Sequence, residues 1–155
     1  MELKCFNALP KEAEDIRRAV FMEEQGFQEE FDETDAYAKH LVLFEKEQPI
    51  ATCRLFPKPG TPDYVIGRIA VMKQYRGQSI GAGLLKAAEK IAKDAGGVRT
   101  LLHAQVRVRR FYEFLQFGLP QNGSRHIHSV LDIHAKYCRS HFQSKGIYFY
   151  DLHYY

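Results

Sequence analysis

Residues 64–104 read YVIGRIAVMKQYRGQSIGAGLLKAAEKIAKDAGGVRTLLHA, and this stretch decides the fold. It opens on YVIGRIAV (64–71), a run of branched and apolar residues that predicts a strand crossing the core. Its Gly67 marks a candidate bulge, the local bend that splays a strand from its neighbour. YRGQSIGAG (75–83) then places three glycines and an arginine ahead of a helical pattern. Ile80, Leu84, Ala87, Ala88 and Ile91 recur at spacings of three and four, while Lys86, Glu89, Lys90 and Lys93 face water. Gly96-Gly97 ends that helix. VRTLLHA (98–104) predicts the next strand.

Working outward, HLVLF (40–44) and PIATCRLF (49–56) predict two strands joined through EKEQ (45–48), a turn too charged to be buried. Pro49 fits the first position of its strand, where a missing donor costs little. PKPGTPD (57–63) is a proline-rich loop. Towards the N-terminus, Leu3 and Cys5 alternate with Glu2 and Lys4 in a short edge-type strand. Asn7 or the turn near Pro10 leads into KEAEDIRRAVFMEEQ, where Ala13, Ile16, Ala19 and Val20 keep helical spacing, with Gly26 as its stop. Residues 28–35 read as an acidic loop. Beyond the glycine-loop unit, VRRFYEFLQFG (108–118) predicts a short amphipathic helix. SRHIHSVLDIHAKY and GIYFYDLHYY have strand-like composition. No repeat and no domain boundary is evident.

With 155 residues the chain is long enough for one domain with a stable core, and residues 1–155 are read as such. Its 22 basic and 19 acidic residues leave a net charge of only +3, too little to argue for nucleic acid. The charges are segregated: residues 23–35 are acidic, and 99–110 carry Arg99, Arg107, Arg109 and Arg110. Cys5, Cys53 and Cys138 are odd in number and form no CxxC pair, which predicts reduced thiols in a cytoplasmic protein. MELKCFNALP has no basic region followed by a long apolar one, so no signal peptide is expected, and no apolar run is long enough to span a membrane.

A strand that ends in a glycine loop before a long helix suits an anionic ligand. The first helical N–H groups lack intrahelical partners and converge with the helix dipole. Gly77 and Gly81 would admit close approach, Arg76 could add a charge-assisted contact, and Ser79 could cap the helix or offer its hydroxyl. Neither GxxxxGK[ST] nor GxGxxG is present, so the two common nucleotide loops are excluded. Taken alone the signal is weak, and Gly81 and Gly83 read first as a structural turn with a small residue for helix–sheet contact.

The whole order, with this loop, resembles the GNAT superfamily of acyl-CoA-dependent N-acyltransferases. Their signature, Gln/Arg-x-x-Gly-x-Gly/Ala, is matched by Arg76-Gly77-Gln78-Ser79-Ile80-Gly81, with Ser79 in place of the middle glycine. That departure suggests ordinary helical geometry at 79. IRRAVFMEEQG, GRIAV, HAQ and FYEFLQFG together resemble the ElaA-like branch, whose helix motif is met by Arg17 or Arg18, Val20, Phe21, Glu24 and Gln25. The resemblance covers roughly residues 10–118. The branch's Gly-Ile-Pro-His string is absent, His134 in VLDIHAKY is the nearest match for its histidine, and the tail 138–155 is atypical.

The resemblance implies an α/β fold with a mixed, twisted, mostly antiparallel sheet, helices on both faces, and a parallel pair splayed near 65–71 and 98–104. It implies acetyl-CoA (CoA) as cofactor. The pantetheine arm would lie in the V beside Ile69, Ala70 and Val71. An N–H at Val71 would face the thioester oxygen. Residues Arg76, Gly77, Gln78, Ser79, Ile80 and Gly81 would hold the pyrophosphate. Tyr112 would act as general acid towards the thiolate, set against a plain amphipathic-helix tyrosine. Gln105 would touch the cofactor or active-site water, and Arg107, Arg109 or Arg110 the adenosine end. Glu24, Asp32 and Asp35 could form a substrate-side acidic rim that attracts a cationic amine, or simply a solvated loop. His40 or His134 could relay the amine proton, His40 being equally a residue at the start of a strand.

Three other readings stand beside this one. A CoA-binding module without catalysis would have the same loop. Nucleic-acid binding through the arginines at 99–110 rests on charge alone. His126, His128 and His134 prompt a metal site, but no cysteine pair or HExxH accompanies them, so none is expected. The acceptor would be a small-molecule or peptide amine. A homodimer is common among such folds, and no residue in the sequence bears on it.

Overall fold

The computed structural model describes residues 1–104 and 128–133. The elements run β1 (Glu2–Phe6), α1 (Lys11–Arg17), β2 (Lys39–Glu45), β3 (Gln48–Pro57), β4 (Tyr64–Val71), α2 (Ile80–Asp94), β5 (Arg99–Ala104) and β6 (His128–Ile133). Among the described residues the six strands form one sheet in sequence order. β1 to β4 pair antiparallel in succession, while β4–β5 and β5–β6 are parallel. The second parallel pair was not foreseen from the sequence.

The β2–β3 turn is Lys46-Glu47, both left-handed at φ 47° and 69°. That is the two-residue geometry whose twist matches a hairpin. The helix expected over 11–25 continues past Arg17, but Arg18–Glu24 winds as a wider π-type turn. Such widenings often sit at functional sites. Gly26 (φ 76°) closes it, its N–H donating to the Met22 carbonyl. α2 ends at Asp94, just before Gly96-Gly97, and Gly97 has no room for a side chain: an added Cβ would lie 2.8 Å from the Ala92 oxygen and 2.8 Å from the Tyr64 ring.

The two helices cover opposite faces of the sheet. Ile80, Leu84, Leu85, Ala88 and Ala92 of α2 pack on Leu41, Cys53, Leu55, Ile66, Val71 and Leu102. Ala13, Ile16, Val20 and Phe21 pack on Val42, Phe44 and Ala70. Ile66 and Val71 share a face although five positions separate them, which simple alternation forbids. The cause is a bulge. Thr52 pairs with Ala70 and Arg54 with Gly67, so Arg68 and Ile69 together oppose Cys53. Arg68 adopts φ 53° there. The bulge therefore lies one residue beyond Gly67.

Candidate active site

β4 and β5 pair only over Tyr64–Thr100, Val65–Leu101 and Ile66–Leu102. From Gly67 onward β4 follows β3, and β5 follows β6 as far as Ala104–Ile133. The sheet thus opens in a V at the bulge. Its closed end is tied by Arg99, which donates to both Asp63 oxygens at 3.0 and 2.7 Å, and by the Val98 N–H on the Pro62 carbonyl at 2.9 Å.

Along the open wall the ladder decides which backbone groups are spare. Met72 N–H donates to the Ile50 carbonyl at 2.9 Å, so Thr52–Ala70 is the next hydrogen-bonded pair and Ala51–Val71 is not. The Val71 N–H consequently points into the V. The Ala70 backbone groups point at β3, which removes Ala70 from the set of backbone contacts expected for a ligand strand.

Past Val71 the chain makes a short turn at Lys73–Tyr75 and enters the loop. Gly77 has φ 79°. Ser79 is also left-handed, at φ 56° and ψ 17°, which corrects the expectation of helical geometry at this position. The loop's turn imposes the conformation on a residue whose Cβ disfavours it. The Ser79 side chain makes no cap hydrogen bond. Its carbonyl takes the first helical bond, from Gly83 N–H at 3.0 Å, so the N–H groups of Ile80, Gly81 and Ala82 precede the helical ladder. Gly81 is buried against the sheet side of α2, whereas Gly83 is exposed with open space around it.

The Arg76 guanidinium is turned inward. It grips both Glu24 oxygens, at 2.7 and 2.8 Å, and donates from Nε to the Val71 carbonyl at 3.0 Å. Glu24, expected on a substrate-side rim, is thus the partner of the residue expected on phosphate. Both side chains are 17% exposed.

Glu30, Asp32 and Asp35 of the acidic stretch are likewise internally paired. Arg17, 1% exposed, donates to Glu30 Oε1 at 2.9 Å, to the Glu30 carbonyl at 3.0 Å, and to both Asp35 oxygens at 2.6 and 3.0 Å. Arg54 grips Asp32 at 2.7 and 2.8 Å and reaches Asp35 at 3.0 Å. The bulge residue Arg68 meets Glu30 at 2.9 Å and Asp32 at 3.3 Å. Three guanidinium groups balance three carboxylates, so Asp32 and Asp35 do not add a net negative rim. Of the two arginines in the helix motif, Arg17 is the buried one, while Arg18 pairs with Glu14 at the surface.

The electrostatics follow. Burial opposes the charge on Asp32, but hydrogen bonds and charge from Arg54, with the Thr34 N–H and Arg68, outweigh it and hold the carboxyl down to about 2. The same contest leaves Asp35 lowered by Arg17 and Arg54. At Glu30 burial wins over Arg68 and Arg17, and its pKa rises. His40 sits in β2, 1% exposed, with Nε2 3.1 Å from the Asp35 carbonyl. A carbonyl only accepts, so Nε2 carries the proton. Burial lowers the His40 pKa, and the Arg17 and Arg54 charges add to that. His40 belongs to this network, two strands from β4, and does not border the V.

Gln105, Arg107, Arg109, Arg110, Tyr112, His126 and His134 lie outside the described residues, as do the helix expected at 108–118 and the tail. Sequence reasoning passed over Arg17 as a buried residue, and over Glu30, Arg54 and Arg68 altogether. The only signal for Arg54 and Arg68 was a cation within an otherwise apolar strand. Cys5 and Cys53 are free thiols in β1 and β3, the latter pushed up by burial. No helix among the described residues is long and apolar enough to cross a membrane.

The acetyltransferase (GNAT) family model matches residues 6–117. The uncharacterized N-acetyltransferase YjcF of Bacillus subtilis is 33% identical over 123 residues, which span 71% of this chain and 86% of YjcF. A crystal structure of a candidate N-acetyltransferase from Lactobacillus plantarum superposes with a TM-score of 0.66 at 32% identity, covering 80% of this chain and 93% of that one. Escherichia coli ElaA superposes with a TM-score of 0.66 at 22% identity, covering 74% and 84%, a likeness of fold.

Proposed function

The chain belongs to the acetyltransferase (GNAT) family, and on that premise we propose that it transfers an acetyl group from acetyl-CoA to a primary amine within a ternary complex. The observation that carries the proposal is the V between β4 and β5, opening at the bulge and leading directly into the Gly77–Gly81 loop before α2. In this reading the pantetheine arm lies along the open wall of β4 and takes the backbone groups of Ile69, which leaves the Val71 N–H for the thioester. The pyrophosphate meets the N–H groups of residues 77–81, with the helix dipole behind them.

The amine nitrogen attacks the thioester carbonyl carbon, and negative charge collects on its oxygen. A fixed donor at that point favours the transition state, and the Val71 N–H is the group offered. The carbon–sulfur bond then breaks, and the departing thiolate needs a proton. Tyr112 supplies it in this proposal, on the strength of the family resemblance of FYE (111–113). The amine proton leaves through His134 or water. His40 is withdrawn from that role, because its one basic nitrogen is buried in the arginine–carboxylate network. Gln105 and Arg109 stay assigned to the cofactor by resemblance. The ElaA-like branch is assigned by the resemblance of motif order alone, in which Arg17, Val20, Phe21 and Glu24 take part. A cytoplasmic setting fits the free thiols of Cys5 and Cys53.

Calorimetric titration with acetyl-CoA tests the reading. Wild-type protein is expected to bind with a Kd in the roughly micromolar range common for enzyme ligands. Gln78→Glu, an exposed change at the loop, adds an anion beside the phosphates and should weaken binding several-fold. Absence of binding by folded wild type refutes the cofactor assignment. A screen of amines for thiol release then separates enzyme from binding module. Turnover that falls in Tyr112→Phe with CoA affinity retained supports catalysis, and binding without turnover on any amine supports the module.

A further inference from the structure

We infer that Arg76 and Glu24 form a positioning clamp, which fastens the cofactor loop and the end of β4 to the helix on the other face of the sheet. This goes against the simplest reading of the loop, in which Arg76 is itself a phosphate ligand, and it rests on the proposed cofactor site.

The geometry carries the inference. The fork of Arg76 is closed on both oxygens of Glu24, and its Nε is spent on the Val71 carbonyl. At least three of the five guanidinium N–H donors are thus committed, and the side chain is four-fifths buried, so a phosphate would have to share a guanidinium already held in a bidentate pair. The paired charges also cancel, so Arg76 adds little net field at the loop. What the pair does instead is join segments that are 52 residues apart. Glu24 ends the π-type turn that continues α1. One residue of β4, Ala70, lies in one buried apolar cluster with Ile16, Val20 and Phe21 of that helix. The next residue, Val71, is tied to it through Arg76. The helix thus holds β4 by an apolar contact and a polar one at successive positions, where the V is open and where Val71 offers its N–H. The loop at 77–79, with two left-handed residues, begins at the clamped arginine and takes its starting direction from it.

The two roles predict opposite signs for Glu24. If Arg76 is a phosphate ligand, removing the carboxylate frees the guanidinium, and CoA binds as well or better. If the pair is a clamp, Glu24→Gln loosens the loop and CoA binds more weakly, by about tenfold, an energy of about 1.4 kcal/mol. Arg76→Met should lose as much, Arg76→Lys should not rescue because an ammonium cannot make the fork, and the double variant should be no worse than the poorer single one. The exchanged pair, Glu24→Arg with Arg76→Glu, should recover part of the affinity.

The measurement is the CoA Kd of each variant by calorimetry at two salt concentrations, with a thermal melt to establish folding. For a clamp, the salt dependence of Kd stays that of the wild type. For a direct phosphate contact, Arg76→Met flattens it. Unchanged or tighter binding in Glu24→Gln overturns the inference, and so does a lowered melting temperature with an unchanged Kd. Failure of wild-type protein to bind CoA is a separate result, which overturns the cofactor site itself.

Discussion

Replacing Ser79 by glycine should stabilise the protein, against the usual direction for a serine-to-glycine change at a helix start. Ser79 is held at φ 56° and ψ 17°, and its hydroxyl makes no cap bond. Left-handed backbone costs an L-residue about 1–2 kcal/mol. Glycine removes that cost but brings a more disordered unfolded chain, worth about 0.5–1 kcal/mol in the other direction. The difference leaves Ser79→Gly more stable by about 0.5–1 kcal/mol. For a chain of this length that raises Tm by about 1–4 °C. Ser79→Ala is the companion variant: it keeps the Cβ and its strain, loses only the hydroxyl, and should melt close to wild type. Calorimetric melts of the three proteins decide the matter. A fall in Tm for Ser79→Gly, or an equal fall in both variants, would show that the hydroxyl stabilises the loop and that the strain argument is wrong. CoA affinity should be kept or improved in the glycine variant, since it restores the residue that the family pattern has there.

Arg17→Met should cost about 3 kcal/mol, because it strips a buried cation from Glu30 and Asp35 and leaves them only Arg68 and Arg54. Urea midpoints measure this, and Arg17→Lys should recover little. Stability should also depend on pH in two steps. His40 has a lowered folded pKa, so the unfolded chain takes its proton first: stability is whole above about 6.5 and falls as pH drops below it, by at most about 1.4 kcal/mol per unit. Asp32 and Asp35, also lowered, remove a further share as pH falls from about 4 towards 2, while the raised Glu30 works the other way. His40→Gln, which keeps a donor for the Asp35 carbonyl, should flatten the first step, and an unchanged slope in that variant would remove His40 from the account.

The elements that could be read from sequence were those whose pattern is local. β4 begins and ends where its apolar run does, α2 starts at Ile80 and stops before Gly96-Gly97, and the hairpin turn lies inside EKEQ. The V was legible through the family resemblance and through the bulge expected at Gly67, one residue short of its place, because a gap between strands has no periodicity of its own. The rest was hidden for definite reasons. The acidic stretch looked like a solvated rim because its partners are 13 to 52 residues away, on a helix, two strands and the glycine loop. The bulge falls on an arginine rather than on Gly67, since the cation is held there by Glu30 and Asp32 rather than by backbone freedom. At Ser79 residue preference pointed to ordinary helical backbone, and the path of the loop overrode it. The widening of the helix after Arg17 leaves no trace in apolar spacing, because Val20 and Phe21 still reach the sheet.

The six-member network of Arg17, Arg54, Arg68, Glu30, Asp32 and Asp35 bears on how this protein can change over generations. Its members are interlocked, so any one replaced alone strands a charge, and the route to a different network passes through poorly folded intermediates. Between those fixed points the same segment exposes Gln28, Glu29 and Glu33, whose replacement disturbs none of the network's pairs. Mutational drift is therefore channelled: a lineage, or a laboratory library, can redecorate this wall at the three open positions while its framework is inherited as a block.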